Sequence, residues 1–154
     1  MFRPIRLSIL LLVGVAAMGC AARVPAREQQ ISELAVSLND PDPSVQVQTL
    51  LKLTEFGRDA RATTPVLLQL LRGNDRNVRK YAALAVTRVA KAEDAVPALM
   101  EALNDSDADV RRQAAMGLGE LGPAAKAALP ALEKFREEPD RCAIAATAIR
   151  NVGK

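Results

Sequence analysis

In the stretch DVRRQAAMGLGELG, which begins at Asp109, apolar residues recur at Val110, Ala114, Leu118 and Leu121. Those intervals put them on one face of an α-helix and leave the charged residues for the opposite face. The stretches SVQVQTLLKLTEFG from Ser44 and NVRKYAALAVTRVA from Asn77 repeat the pattern, and DRCAIAATAIRNVG from Asp140 repeats most of it. Val45, Val78 and Val110 correspond at spacings of 33 and 32, and Phe56, Val89, Leu121 and Val152 at 33, 32 and 31. Leu53, Val86, Leu118 and Ile149 fall in the same register. A self-similarity of this length marks a solenoid, in which each unit buries its apolar face only against its neighbours.

A second helical pattern alternates with the first. TPVLLQLLRG, VPALMEALND and LPALEKFREE align through Pro65, Pro97 and Pro130, with Leu67, Leu99 and Leu132 in register. ISELAVSLND from Ile31 is the same element without its proline. Asp42, Asp75 and Asp107 each stand three residues before an aligned valine, where a carboxylate caps a helix N-terminus. Pro43 suits a first helical turn. The pattern predicts an all-α solenoid of four antiparallel helix pairs over residues 28–154, divided at 28–57, 58–90, 91–122 and 123–154.

Composition narrows the chemistry. The chain has no His and no Trp, and aromatics are 3% of its 154 residues. Without His there is no Ser-His-Asp or Cys-His nucleophile pair and no His-ligated zinc. The net charge of +3 includes Arg3 and Arg6, and without them 19 basic residues face 18 acidic ones. That balance, with so few aromatics, argues against a nucleic-acid partner.

The first residues form a separate element. In MFRPIRLSILLLVGVAAMGC, Arg3 and Arg6 precede an apolar run of 12 from Leu7 to Met18. A bilayer-spanning helix needs about 20 such residues, so the run reads as an export signal over residues 1–19. AMGC, Ala17 to Cys20, resembles the lipobox of bacterial lipoproteins, with Gly19 as the small residue before the cleavage point and Ala17 where Leu is commoner. The resemblance implies that Cys20 carries the lipid, with residues 20–27 as a short tether. Acyl chains contribute about 0.8 kcal/mol per buried CH₂, enough together to hold a protein on a membrane. Ala21 is not acidic, and the resemblance then implies the periplasmic side of an outer membrane where the cell has one. The alternative is cleavage near Gly19 or Ala21 and release of a soluble exported protein.

The repeats resemble the HEAT family, especially its bacterial HEAT-like form related to phycobilisome lyase subunits. DSDADVRRQAAMGLGELG carries the Asp, Val-Arg, paired Ala and Leu-Gly pattern nearly whole. DRNVRKYAALAVTRVA has Ala90 in place of Gly, the first copy has Gln46 in place of Arg, and the fourth has Arg141 in place of Val. The resemblance implies a right-handed α-solenoid whose second helices line a concave face. Lys80, Tyr81, Arg88, Arg112, Gln113 and Glu120 are expected to point outward there, as a candidate surface for a protein partner.

Four sharper signals have structural readings. GLGELG, Gly117 to Gly122, has the spacing of a dinucleotide loop but closes a helix instead of opening one. Gly117 and Gly119 are therefore expected inside a helix, where Ala would add stability, and Gly122 with Gly57 and Gly153 at left-handed caps. Asp105, Asp107 and Asp109 begin like a calcium loop, but Val110 and Met116 occupy its Gly and Glu positions, so they are expected to serve as capping acids. Cys142 is expected to pack in the last helix. Arg79 and Arg111 are expected to bond acidic turns of adjacent repeats.

These readings give a membrane-anchored scaffold that binds a protein partner, with no catalytic residue, metal, cofactor or small-molecule substrate. The alternative is a HEAT-like lyase or an enzyme's accessory subunit, while HEAT-like hydroxylases need His-Glu pairs that this chain lacks.

Overall fold

The computed structural model describes residues 26–137 and 141–154. Every regular element among them is helical: α1 (Ala26–Ser37), α2 (Pro43–Phe56), α3 (Thr64–Leu70), α4 (Arg76–Val89), α5 (Ala92–Ala102), α6 (Ala108–Leu121), α7 (Leu129–Arg136) and α8 (Cys142–Val152). Two 3-10 segments, Gly57–Thr63 and Gly122–Ala128, lead into α3 and α7. Signal region, Cys20 and the first part of the tether lie outside the described residues.

The caps form where the sequence places them. Asp42 accepts the Ser44 amide, Asp75 those of Asn77 and Val78, and Asp107 those of Asp109 and Val110. Each satisfies donors that the first helical turn leaves unpaired. Even-numbered helices stack in one layer, α2 on α4, α4 on α6 and α6 on α8, and each odd-numbered helix packs on the even one that follows it. The core lies between the layers. Leu53, Val86, Leu118, Leu67, Leu99 and Leu132 are fully buried, as are Val110 and Ala114, and Val78 is 2% exposed.

Some of the aligned apolar positions are less buried than the register predicts. Val45, Phe56 and Ile149 are only half-buried. Arg27 covers part of the Phe56 ring, at 5.5 Å from its centroid. Arg141, which stands in the aligned valine's place, lays its guanidinium 5.0 Å from the centroid of the buried Phe135 ring.

Glycine explains a difference between repeats. Gly57 (φ 54°, ψ −130°) and Gly122 (φ 56°, ψ −135°) turn the chain into the 3-10 segments. That conformation has positive φ, but it is not the left-handed helical cap expected from sequence; it is open essentially to Gly alone. Gly153 has φ −82° and needs no such freedom. Ala90, where the second copy lacks Gly, is extended (φ −73°, ψ 161°), and α5 then starts directly and carries Pro97 inside it. Pro65 and Pro130, by contrast, stand in the first turns of α3 and α7.

Gly117 and Gly119 of GLGELG lie inside α6, and both are buried. A Cβ on Gly117 would strike the Thr87 hydroxyl and lie 3.2 Å from Leu99 Cδ1, and one on Gly119 would lie 3.0 Å from the Ala148 Cα. The two glycines thus let α6 approach α4 and α8 closely. The gain expected from Ala at these sites is opposed by the packing, since the added methyl meets neighbours already in contact. Cys142 is also corrected: it stands exposed at the start of α8.

Candidate protein-binding surface

The outer side of the even-numbered layer is built from equivalent slots of successive helices. Of the six residues singled out by sequence, Arg88, Arg112 and Glu120 are exposed, while Lys80, Tyr81 and Gln113 are half-buried instead of pointing freely outward. The fold joins most of them in pairs. Arg88 Nε lies 3.2 Å from Glu120 Oε2, across α4 and α6. Asp109 takes Arg112 at 2.7 Å and Lys80 at 3.9 Å. Lys80 Nζ also stands 5.5 Å from the Tyr81 ring centroid. The charges of this strip therefore compensate one another, with Asp109 as a member that sequence reasoning missed.

An apolar column was missed too. Leu51, Leu84 and Met116 occupy one slot of α2, α4 and α6, at spacings of 33 and 32. Leu51 is 40% and Met116 46% exposed, and Leu84 between them is half-buried. Lone exposed apolar residues are ordinary, but the same slot repeated along stacked helices makes a contiguous patch of the kind found at interaction sites. The next slot adds Tyr81 and Ile144, which are half-buried. Met116, Ile144 and Thr147 line a groove of about 440 Å³ between α6 and α8, floored by the close approach of Gly119 and Ala148. The signal was present in the alignment, where that slot is apolar in three copies, but such a slot reads equally well as part of a broad core face.

The other candidate residues support the fold. Arg79 bonds Asp105 in the next turn, as expected, and Nη1 donates to the Gly73 and Asn74 carbonyls. Arg111 departs from expectation: its Nη1 donates to the Asp105 and Ser106 carbonyls of the turn before its own helix, and its buried Nε has no hydrogen-bond partner among the described residues. Gln46 fills the same slot with the shorter version of this contact, to the Leu38 and Asp40 carbonyls. Asp105, Asp107 and Asp109 are engaged respectively in the Arg79 pair, the α6 cap and the Arg112 pair. Arg72 meets Glu101 at 2.6 Å on the other layer. Its hydrogen bond and charge hold the Glu101 carboxyl below its ordinary range.

Stacked antiparallel helix pairs with such turn-bonding arginines define an α-solenoid. The family model for HEAT repeats matches residues 64–152, more than half of the chain. The chain belongs to the HEAT repeat family. Among solved structures it is similar to the complex of CpcE and CpcF of phycocyanin lyase from Nostoc sp. PCC7120, at TM-score 0.62 and 22% identity, over 82% of this chain and 79% of that one. It is similar also to an engineered protein, at TM-score 0.62 and 21% identity, over 80% of this chain and 62% of that one. The chain thus spans less than two thirds of the engineered protein. At these identities the likeness shows the fold alone. None of the curated proteins matches the chain.

Proposed function

We propose that this protein is a HEAT-repeat scaffold, lipid-anchored through Cys20 in a bacterial cell envelope, that binds a protein partner on the exported side and has no catalysis of its own. The observation that carries the binding half is the column of exposed Leu51 and Met116 with half-buried Leu84 between them, bordered by charges that already satisfy one another. An apolar centre with a polar rim is the usual anatomy of a protein interface. HEAT repeats commonly serve protein binding, and the structural neighbour CpcE–CpcF is itself a complex of two chains. The anchor half rests on the sequence of residues 1–20.

A photo-crosslinking residue at Gln113, used in intact cells, tests the binding half. The parent should capture a defined protein, and Leu51→Glu with Met116→Glu should abolish capture while leaving thermal unfolding unchanged. Capture at parental level in that variant refutes this surface. Mass spectrometry of the membrane-extracted protein tests the anchor: the mature chain should start at an acylated Cys20, and an unmodified start at Ala21 or Ala22 in a soluble fraction refutes it.

A further inference from the structure

A groove of about 600 Å³ lies at one end of this surface, where the C-terminal ends of α4 and α6 meet the 3-10 segments. Arg58 and Arg61 enter it from the segment after α2, Arg88 from the last turn of α4, and Lys91 from the N-cap of α5. Two carboxylates, Glu93 and Glu120, also line it. Glu120 is held by Arg88, and nearby Asp59 by Arg27 at 3.0 Å. Among the described residues none of the ion pairs involves Arg58, Arg61 or Lys91, and all three are exposed.

Local helix electrostatics accounts for only part of this cluster. A cation is favoured near a helix C-terminus, which suits Arg88 and Arg58. Lys91 instead occupies the N-cap of α5, where a cation is disfavoured, and it makes no side-chain capping bond. Arg61 stands in the last turn of the 3-10 segment that leads into α3. Three exposed cations outside every described ion pair, Arg58, Arg61 and Lys91, line one concavity in which Arg88 and Glu120 already compensate each other, and that excess of positive charge suits a ligand that carries negative charge.

We propose that the groove docks an acidic segment of the protein partner. This rests on the scaffold reading and specifies the partner's chemistry: apolar side chains over Leu84 and Met116, with carboxylates reaching Arg58, Arg61 and Lys91. Arg88 and Glu120 belong to both the strip and the groove, so one partner can touch both. A concave site that also presents Glu93 and Glu120 suits a segment with mixed hydrogen-bonding groups better than a flat sheet of anionic headgroups.

The full-length protein in detergent is titrated against a fluorescein-labelled peptide of alternating Glu and Leu, against its Lys–Leu counterpart, and against phosphatidylglycerol vesicles. The acidic peptide should bind and the basic one should not, with affinity falling as salt rises. Reversing Arg58, Arg61 and Lys91 to Glu should weaken it about tenfold or more, and Arg61→Gln with Lys91→Gln should weaken it in the same direction with neutral side chains. No binding of the acidic peptide, binding that ignores both variants, or binding of vesicles alone overturns the inference. Crosslinking from Gln113 separates the two readings. If charge reversal leaves capture intact while Leu51→Glu with Met116→Glu abolishes it, the groove inference fails and the scaffold reading stands.

Discussion

Arg79 and Asp105 meet side-on across two repeats, with Nε 2.8 Å from Oδ2 and Nη2 3.0 Å from Oδ1. The two side chains are 13% and 11% exposed. Burial by itself would raise the Asp105 carboxyl, but the Arg79 hydrogen bonds, the Asp107 amide and the Arg79 charge outweigh it and hold it below the usual carboxylate range. Asp105 in turn holds Arg79 above its ordinary value through the same hydrogen bonds. The first repeat shows the pairing's logic in reverse. There the arginine slot holds Gln46, and the slot aligned with Asp105 holds Gly73. The short amide keeps the bonds to its own turn and has no carboxylate to reach for.

The pair makes stability depend on pH. A carboxylate whose folded pKa is depressed contributes fully above its unfolded value, about 3.9 for Asp, and that contribution is lost as pH falls through the lower folded value. Asp105→Asn should therefore cost about 1–3 kcal/mol at pH 7 and flatten the acid limb of the stability profile. Urea unfolding from pH 7 down through pH 3 measures both. The surface pair of Glu101 with Arg72 keeps a shallower slope in the variant. An acid limb as steep as the parent's would exclude Asp105 as its source.

Gly119→Ala should destabilise by about 1–3 kcal/mol, because the methyl meets the backbone of Ala148 and α6 and α8 must part to admit it. Gly117→Ala should also destabilise, but its obstacle is the Thr87 side chain, whose hydroxyl donates to the Ala83 carbonyl at 2.9 Å. Adding Thr87→Ala should recover part of the loss, which a double-mutant cycle in denaturant would register as coupling. Gly122→Ala should lose about 1–3 kcal/mol through its positive φ alone. Stabilisation by Ala at either Gly117 or Gly119 would contradict the close helix contacts.

Val110→Asp places a carboxylate in a site with no exposure and should cost several kcal/mol, on the order of 3–5. Arg112→Ala removes only an exposed pair with Asp109 and should change stability by less than about 1 kcal/mol. Thermal unfolding of the two variants checks the assignment of inner and outer faces of α6.

The Cys142 thiol, exposed on α8, should react with a maleimide in the folded protein as fast as in denaturant. Protection in the native state would show that something covers the start of α8.

The sequence carries the solenoid in its periodicity. Periodicity placed Val110, Ala114, Leu118 and their equivalents on one face, and the aspartates before the aligned valines marked where helices start. These are local properties, written within one helical turn of the residues concerned. It also anticipated that Arg79 would bond the next acidic turn, because the repeat length sets that distance. Features that depend on how closely the helices stack emerge only once the helices are packed. Gly117 and Gly119 looked like helix defects until Thr87 and Ala148, 30 and 29 residues away, were brought against them. Cys142 and Met116 are apolar residues on helices with a buried face, and only the stacking shows that both stand outside it. Arg88 and Glu120 were both legible as surface residues, but not as a pair. A helix announces which of its faces is apolar; which column of that face a neighbour covers, and which charges face each other across the gap, is settled by the rotation and spacing of helices far apart in the chain.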